Sequence, residues 1–161
     1  MVNFSSDGRW MAAAGQGGAV SIQDRRSGTE VRVLSTGSDL TGVWFSPDSD
    51  TIATAHINGT ILLWSVSTGR QLASMSGPKR AVQWLDFSPD GQRIASCTTD
   101  MMLDIWDIGS ASEVYSIRAH NGPVMCVRFS PDGTRIATCG QDSLVNIWEG
   151  QTAPTTTGTP E

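Results

Sequence analysis

The sequence predicts an all-β chain made of about four copies of one short antiparallel sheet. Three observations predict it. First, one phrase occurs four times: Phe4-Ser5-Ser6-Asp7-Gly8, Phe45-Ser46-Pro47-Asp48-Ser49, Phe87-Ser88-Pro89-Asp90-Gly91 and Phe129-Ser130-Pro131-Asp132-Gly133, at spacings of 41, 42 and 42 residues. Second, a marker 19 residues after each Phe keeps its offset: Gln23, Trp64, Trp106 and Trp148, followed by Asp24, Ser65, Asp107 and Glu149. Third, apolar runs of strand length alternate with turn residues, and no segment sustains a 3.6-residue apolar period.

The last copy shows the elements in order. Val124 to Phe129 is an apolar run of strand length. Ser130-Pro131-Asp132-Gly133 is a turn, in which Pro pre-sets φ and Gly accepts the left-handed conformation. Arg135 to Cys139 is a second strand, Gln141-Asp142-Ser143 a tight connection, and Leu144 to Trp148 a third strand. Complete copies add a fourth strand, as in Gln71 to Met75 after the turn Ser67 to Arg70. The first copy opens at Val2-Asn3-Phe4, already at the end of its first strand, and the last stops after its third, so the first and last units are incomplete.

Such a sheet is apolar on both faces and cannot stay dry alone. Stacking the copies radially buries both faces of each and leaves short edges, which is the physical case for a β-propeller. The units run approximately over residues 1–35, 36–76, 77–118 and 119–150. A polar Pro/Thr-rich stretch, 151–161, reads as a disordered C-terminal tail. Three arrangements follow: the C-terminal part of a longer propeller, two copies completing one ring of eight units, or an open array.

The phrases Phe-Ser-Pro-Asp-Gly, Ile-Ala-Ser/Thr and Ile-Trp-Asp resemble the WD-repeat β-propellers, over residues 2 to about 150. The resemblance implies a rigid, non-catalytic scaffold that binds protein or peptide partners. An alternative is the regulatory or targeting segment of a larger multidomain enzyme, such as a protein kinase, whose catalytic domain lies outside this chain. It also implies a structural hydrogen-bond chain. In the last unit His120, Thr138, Asp142 and Trp148 match it, with Ala119-His120 standing for the usual Gly-His. The third unit has Ser96, Asp100 and Trp106 but Pro78 at the His position. The second has Thr54, Asn58 and Trp64 with no His, and the first has only Gly17, Gln23 and Asp24. The last unit is therefore expected to be the best tied. A bonded indole, hydroxyl, imidazole and carboxylate form a coherent series, because each buried donor finds an acceptor.

The propeller geometry puts two sets of connections on one rim and makes that rim the candidate partner surface. The residues opening each first strand are Thr41, Gln83 and Met125. The connections after each second strand add Gln16, Ile57, Thr99 and Gln141. Lys79 and Arg80 lie beside them and offer positive charge to an acidic partner. Trp44, where later copies have Asp86 and Arg128, is either an exposed anchor or packing between units.

Composition excludes several classes. The 11 basic against 16 acidic residues give a net charge of −5, and no Lys/Arg block exceeds two residues. Nucleic acid and anionic membrane surfaces are therefore not expected as partners. No apolar run approaches the roughly 20 residues of a spanning helix. The N-terminus lacks a basic head and an apolar run, and the odd, sparse set Cys97, Cys126 and Cys139 indicates no disulfide framework, so the expected compartment is the cytoplasm. No catalytic, cofactor or metal motif is present, and no cofactor is expected. The thiols read as free packing residues, and His120 with Asp142 and Thr138 as scaffold rather than a catalytic triad.

Overall fold

The computed structural model describes residues 1–77 and 80–149, with Gln16 described by its backbone alone. Fifteen strands form four separate antiparallel sheets, each in sequential order. Sheet one holds β1 (Val2–Phe4), β2 (Trp10–Ala14), β3 (Ala19–Asp24) and β4 (Glu30–Ser35). Sheet two holds β5 (Leu40–Phe45), β6 (Thr51–His56), β7 (Thr60–Ser65) and β8 (Gln71–Ser76). Sheet three holds β9 (Val82–Phe87), β10 (Arg93–Thr98), β11 (Met102–Asp107) and β12 (Ser112–Arg118). Sheet four has three strands, β13 (Val124–Phe129), β14 (Arg135–Gly140) and β15 (Val145–Glu149). The all-β reading holds, and the incomplete ends are seen directly: β1 has three residues where β5, β9 and β13 have six.

The recurrent phrase makes the turn between the first two strands of every sheet. Each turn serine, Ser5, Ser46, Ser88 or Ser130, donates its hydroxyl to the aspartate two residues on and accepts the N–H of the residue five on. Each aspartate accepts a further backbone N–H, that of Arg9, Asp50, Gln92 or Thr134. These donors hold the carboxyls below their ordinary range, and for Asp132 the Ser130 hydroxyl, with the backbone N–H and hydroxyl of Thr134, brings the value to about 2. The fourth turn position takes φ near +70° at Gly8, Gly91 and Gly133, and Ser49 adopts the same conformation at 67°.

Three apolar clusters fill the junctions between successive sheets. Val20, Ile22 and Leu34 of sheet one meet Val43, Phe45, Ile52 and Trp64 of sheet two. Ile61, Leu63 and Met75 of sheet two meet Leu85, Phe87, Ile94 and Trp106 of sheet three. Ala95, Cys97, Leu103 and Ile105 of sheet three meet Val124 and Val127 of sheet four. Strand alternation explains the pattern: Ile61 and Leu63 of β7 point to one face and Leu62 and Trp64 to the other, and both faces are apolar because both are covered. Burying each such Ile or Leu stabilises by about 1.5–3 kcal/mol.

Polar ties reinforce the junctions along the inner strands. Asn3 accepts the N–H of Phe45, and Asp86 accepts that of Phe129 at 2.9 Å while pairing with Arg128 at 3.1 Å. Trp44 occupies the equivalent position in sheet two and packs instead. It is buried, with its ring edge-on to Trp84 at 5.6 Å, so of the two roles open to it the packing one is found.

Candidate protein-interaction face

Two kinds of connection meet on one rim, and backbone hydrogen bonds fix them together. The N–H of Ile57 donates to the carbonyl of Asp39 at 3.2 Å, that of Thr99 to Ala81 at 3.2 Å, and that of Gln141 to Pro123 at 2.9 Å. Each residue following a second strand is thus tied to the segment that opens the same sheet. This sets Ile57 near Thr41, Thr99 near Gln83, and Gln141 beside Met125, whose Sδ lies 3.6 Å from the Gln141 amide nitrogen. Ile57 and Met125 are exposed apolar side chains on this rim, Thr99 and Gln141 are exposed and polar, and Thr41 and Gln83 are half-buried.

Between sheets one and two the rim holds a depression of about 580 Å³, lined by Ala14, Gly15, Gly17, Asp39 and Leu40. Sequence reasoning missed Asp39 and Leu40, because the depression is created by the approach of two sheets.

Beneath the rim lies the polar network. In sheet four the Trp148 indole donates to Thr138 Oγ1 at 3.0 Å, Thr138 Oγ1 is 2.8 Å from His120 Nε2, and His120 Nδ1 is 2.9 Å from Asp142. With the carboxylate accepting at Nδ1, the ring carries its proton there. Asp142 also accepts the backbone N–H of Asn121 and Leu144, and the Asn121 bond is the main cause of its carboxyl lying below the ordinary range.

Sheet two departs from the sequence reading. Its histidine is present, on β6 itself: His56 places Nε2 3.1 Å from Thr54 Oγ1, which also accepts the Trp64 indole at 3.1 Å, and its Nδ1 lies 2.7 Å from the Ser38 hydroxyl. Asn58 stays within its own turn, accepting the N–H of Thr60. Both Thr54 and His56 are fully buried, so the expectation that only the last unit is completely tied is corrected. Burial depresses the His56 pKa below its ordinary value.

Sheet three keeps only part of the chain. The Trp106 indole donates to Ser96 at 2.9 Å, but Asp100 is not joined to that pair. It accepts from the Thr98 hydroxyl at 2.6 Å and pairs with Arg80 at 2.8 Å. Arg80 also lies 3.8 Å from the buried Asp104, so its charge is met within the chain, which corrects its reading as a free cation for an acidic partner. Lys79, Pro78 and the 151–161 tail lie outside the described residues, as does the Gln16 side chain.

The model of the family described as WD domain, G-beta repeat matches residues 28–65, 69–107 and 111–149. The chain belongs to the WD-repeat family. Each matched WD repeat begins before the fourth strand of one sheet and ends with the third strand of the next, so every repeat physically bridges two sheets. Residues 2–24, with Gln23 at the tryptophan position, fall outside the matches. A comparison with curated proteins returned no match. The three thiols are free, and no cluster of three or more metal-ligating side chains occurs among the described residues. No helix among them is long and apolar enough to cross a membrane.

Proposed function

We propose that this WD-repeat chain is a scaffold for protein or peptide partners, with no catalytic step of its own, and that partners contact the rim carrying Ile57, Thr99, Gln141 and Met125. WD repeats are a protein-interaction kind of fold. The observation carrying the choice of rim is the repeated N–H to carbonyl bond that joins the two sets of connections. It presents exposed side chains on a backbone already fixed, so binding loses little conformational entropy. Both histidines are held in buried structural bonds, which supports the absence of catalysis. The acidic net charge and the internal pairing of Arg80 favour neutral or basic partner segments over acidic ones.

The test is a binding comparison with matched controls. Ile57→Asp and Met125→Asp are set against Thr134→Asp, which lies in the turn between β13 and β14, away from the rim connections. Partners captured by the wild-type chain from a cell extract are expected to be lost with the rim variants and kept with the control. Loss with the control alone would move the site to the other rim.

A further inference from the structure

The two end sheets expose faces that are buried at every other junction. On sheet four, Val145 and Ile147 are 69% and 59% exposed, whereas the equivalent Leu103 and Ile105 of sheet three are 2% and 8%, and Ile61 and Leu63 of sheet two are 0% and 1%. On sheet one, Val2 and Phe4 are 53% and 54% exposed, against 0% and 8% for Val43 and Phe45 and 0% and 6% for Leu85 and Phe87. Exposure on the outermost strands does not enter this comparison, because Leu72 and Val114 are exposed on interior sheets too.

These faces are the two halves of one junction. Ala137, Cys139, Val145 and Ile147 of sheet four repeat, position for position, the Ala95, Cys97, Leu103 and Ile105 with which sheet three covers sheet four. Val2 and Phe4 stand where Leu85 and Phe87 receive sheet two. We infer that two copies of this chain dock head to tail, sheet four of each against sheet one of the other, and close a ring of eight sheets. A second copy is the occupant that the surface specifies, because every molecule carries both the covering face and the receiving face, continuous with three junctions of the same design. A contact between unlike faces propagates unless a second identical contact closes it, and two copies related by a twofold axis supply that closure. Eight sheets lie within the range over which radial stacking is found. Gln23, in place of the tryptophan of the other receiving faces, makes this the least apolar junction, so the pair dissociates on dilution.

The experiment is solution mass of the full chain by light scattering and sedimentation, across a concentration series. The expected mass at high concentration is twice 17.2 kDa. Val145→Glu and Phe4→Glu change exposed side chains, and each spoils both junctions of the ring, so each alone is expected to be monomeric with unchanged circular dichroism. Their equimolar mixture retains one sound junction, between the Val145→Glu copy's sheet one and the Phe4→Glu copy's sheet four, and is expected to restore a pair. A second readout needs no variant: Cys126 and Cys139 on the covered face are expected to react more slowly with a thiol reagent as concentration rises. A wild-type chain monomeric at every concentration overturns the inference, as do open polymers, or a pair insensitive to Phe4→Glu.

Discussion

Gly140 is bare because the His120 ring lies where its side chain would be. A Cβ at Gly140 would stand 2.6 Å from both Cγ and Nδ1 of His120 and 2.8 Å from the Asp142 carboxylate. At the equivalent position of sheet two the chain has His56, which delivers an imidazole to Thr54 from the strand itself; His120 delivers one to Thr138 from the preceding connection. Sheet three has Thr98 there, which donates its hydroxyl to Asp100, and the Arg80 guanidinium meets that carboxylate. One slot thus has three solutions, each consistent with its own neighbours.

Gly140→Ala should displace His120 and break its bonds to Thr138 and Asp142. The contact is far inside van der Waals distance, and overpacking of this kind costs about 1–3 kcal/mol. Urea unfolding checks it; an unaltered midpoint would contradict the ring placement.

Thr54→Val removes the acceptor of the Trp64 indole and the partner of His56, leaving two buried groups unsatisfied. The expected loss is about 1–3 kcal/mol. Thr138→Val breaks the matching bonds, but Trp148 is half-exposed and water can replace the lost acceptor, so a smaller loss is expected. Comparing the two thermal unfolding curves tests the ordering.

Acid should destabilise the chain in two windows. His56 is buried with its pKa depressed, so above the unfolded value of 6.5 both states are neutral and nothing is lost. As pH falls below 6.5 the unfolded state takes up a proton that the folded state resists, and stability declines. The turn aspartates act lower: their contribution is present above the unfolded value of 3.8 and is lost as pH falls towards the folded value, about 2 for Asp132. His56→Gln should flatten the stability profile just below pH 6.5 while leaving the lower window intact. A profile unchanged in the upper window would assign that window to another group.

Ser143→Gly should stabilise. Ser143 holds φ at 65°, and the equivalent residue in sheet two is Gly59 at 85°. A left-handed non-glycine residue costs roughly 1–2 kcal/mol. The added freedom of glycine in the unfolded chain returns about 0.4–1 kcal/mol, leaving a net gain of about 0.5–1 kcal/mol. Equilibrium unfolding of the two chains measures it.

The sequence by itself determined the repeat, the sheet unit and the recurrent turns, and its resemblance to the WD-repeat propellers implied the bonded set in the last sheet. These are local: the Ser130 bonds join residues within five positions, and Thr138 and Trp148 stand 10 residues apart on neighbouring strands. Only the tertiary structure decided that His56 completes sheet two, that Arg80 turns to Asp100, that Trp44 packs on Trp84, and that Asp39 and Leu40 border a depression. Each of those outcomes depends on which way a side chain points after two strands or two sheets have met, and residue spacing does not encode that direction. The same reason separates covered from open faces: Leu103 and Val145 hold equivalent places in the repeat, and only the presence or absence of a neighbouring sheet makes one buried and the other exposed.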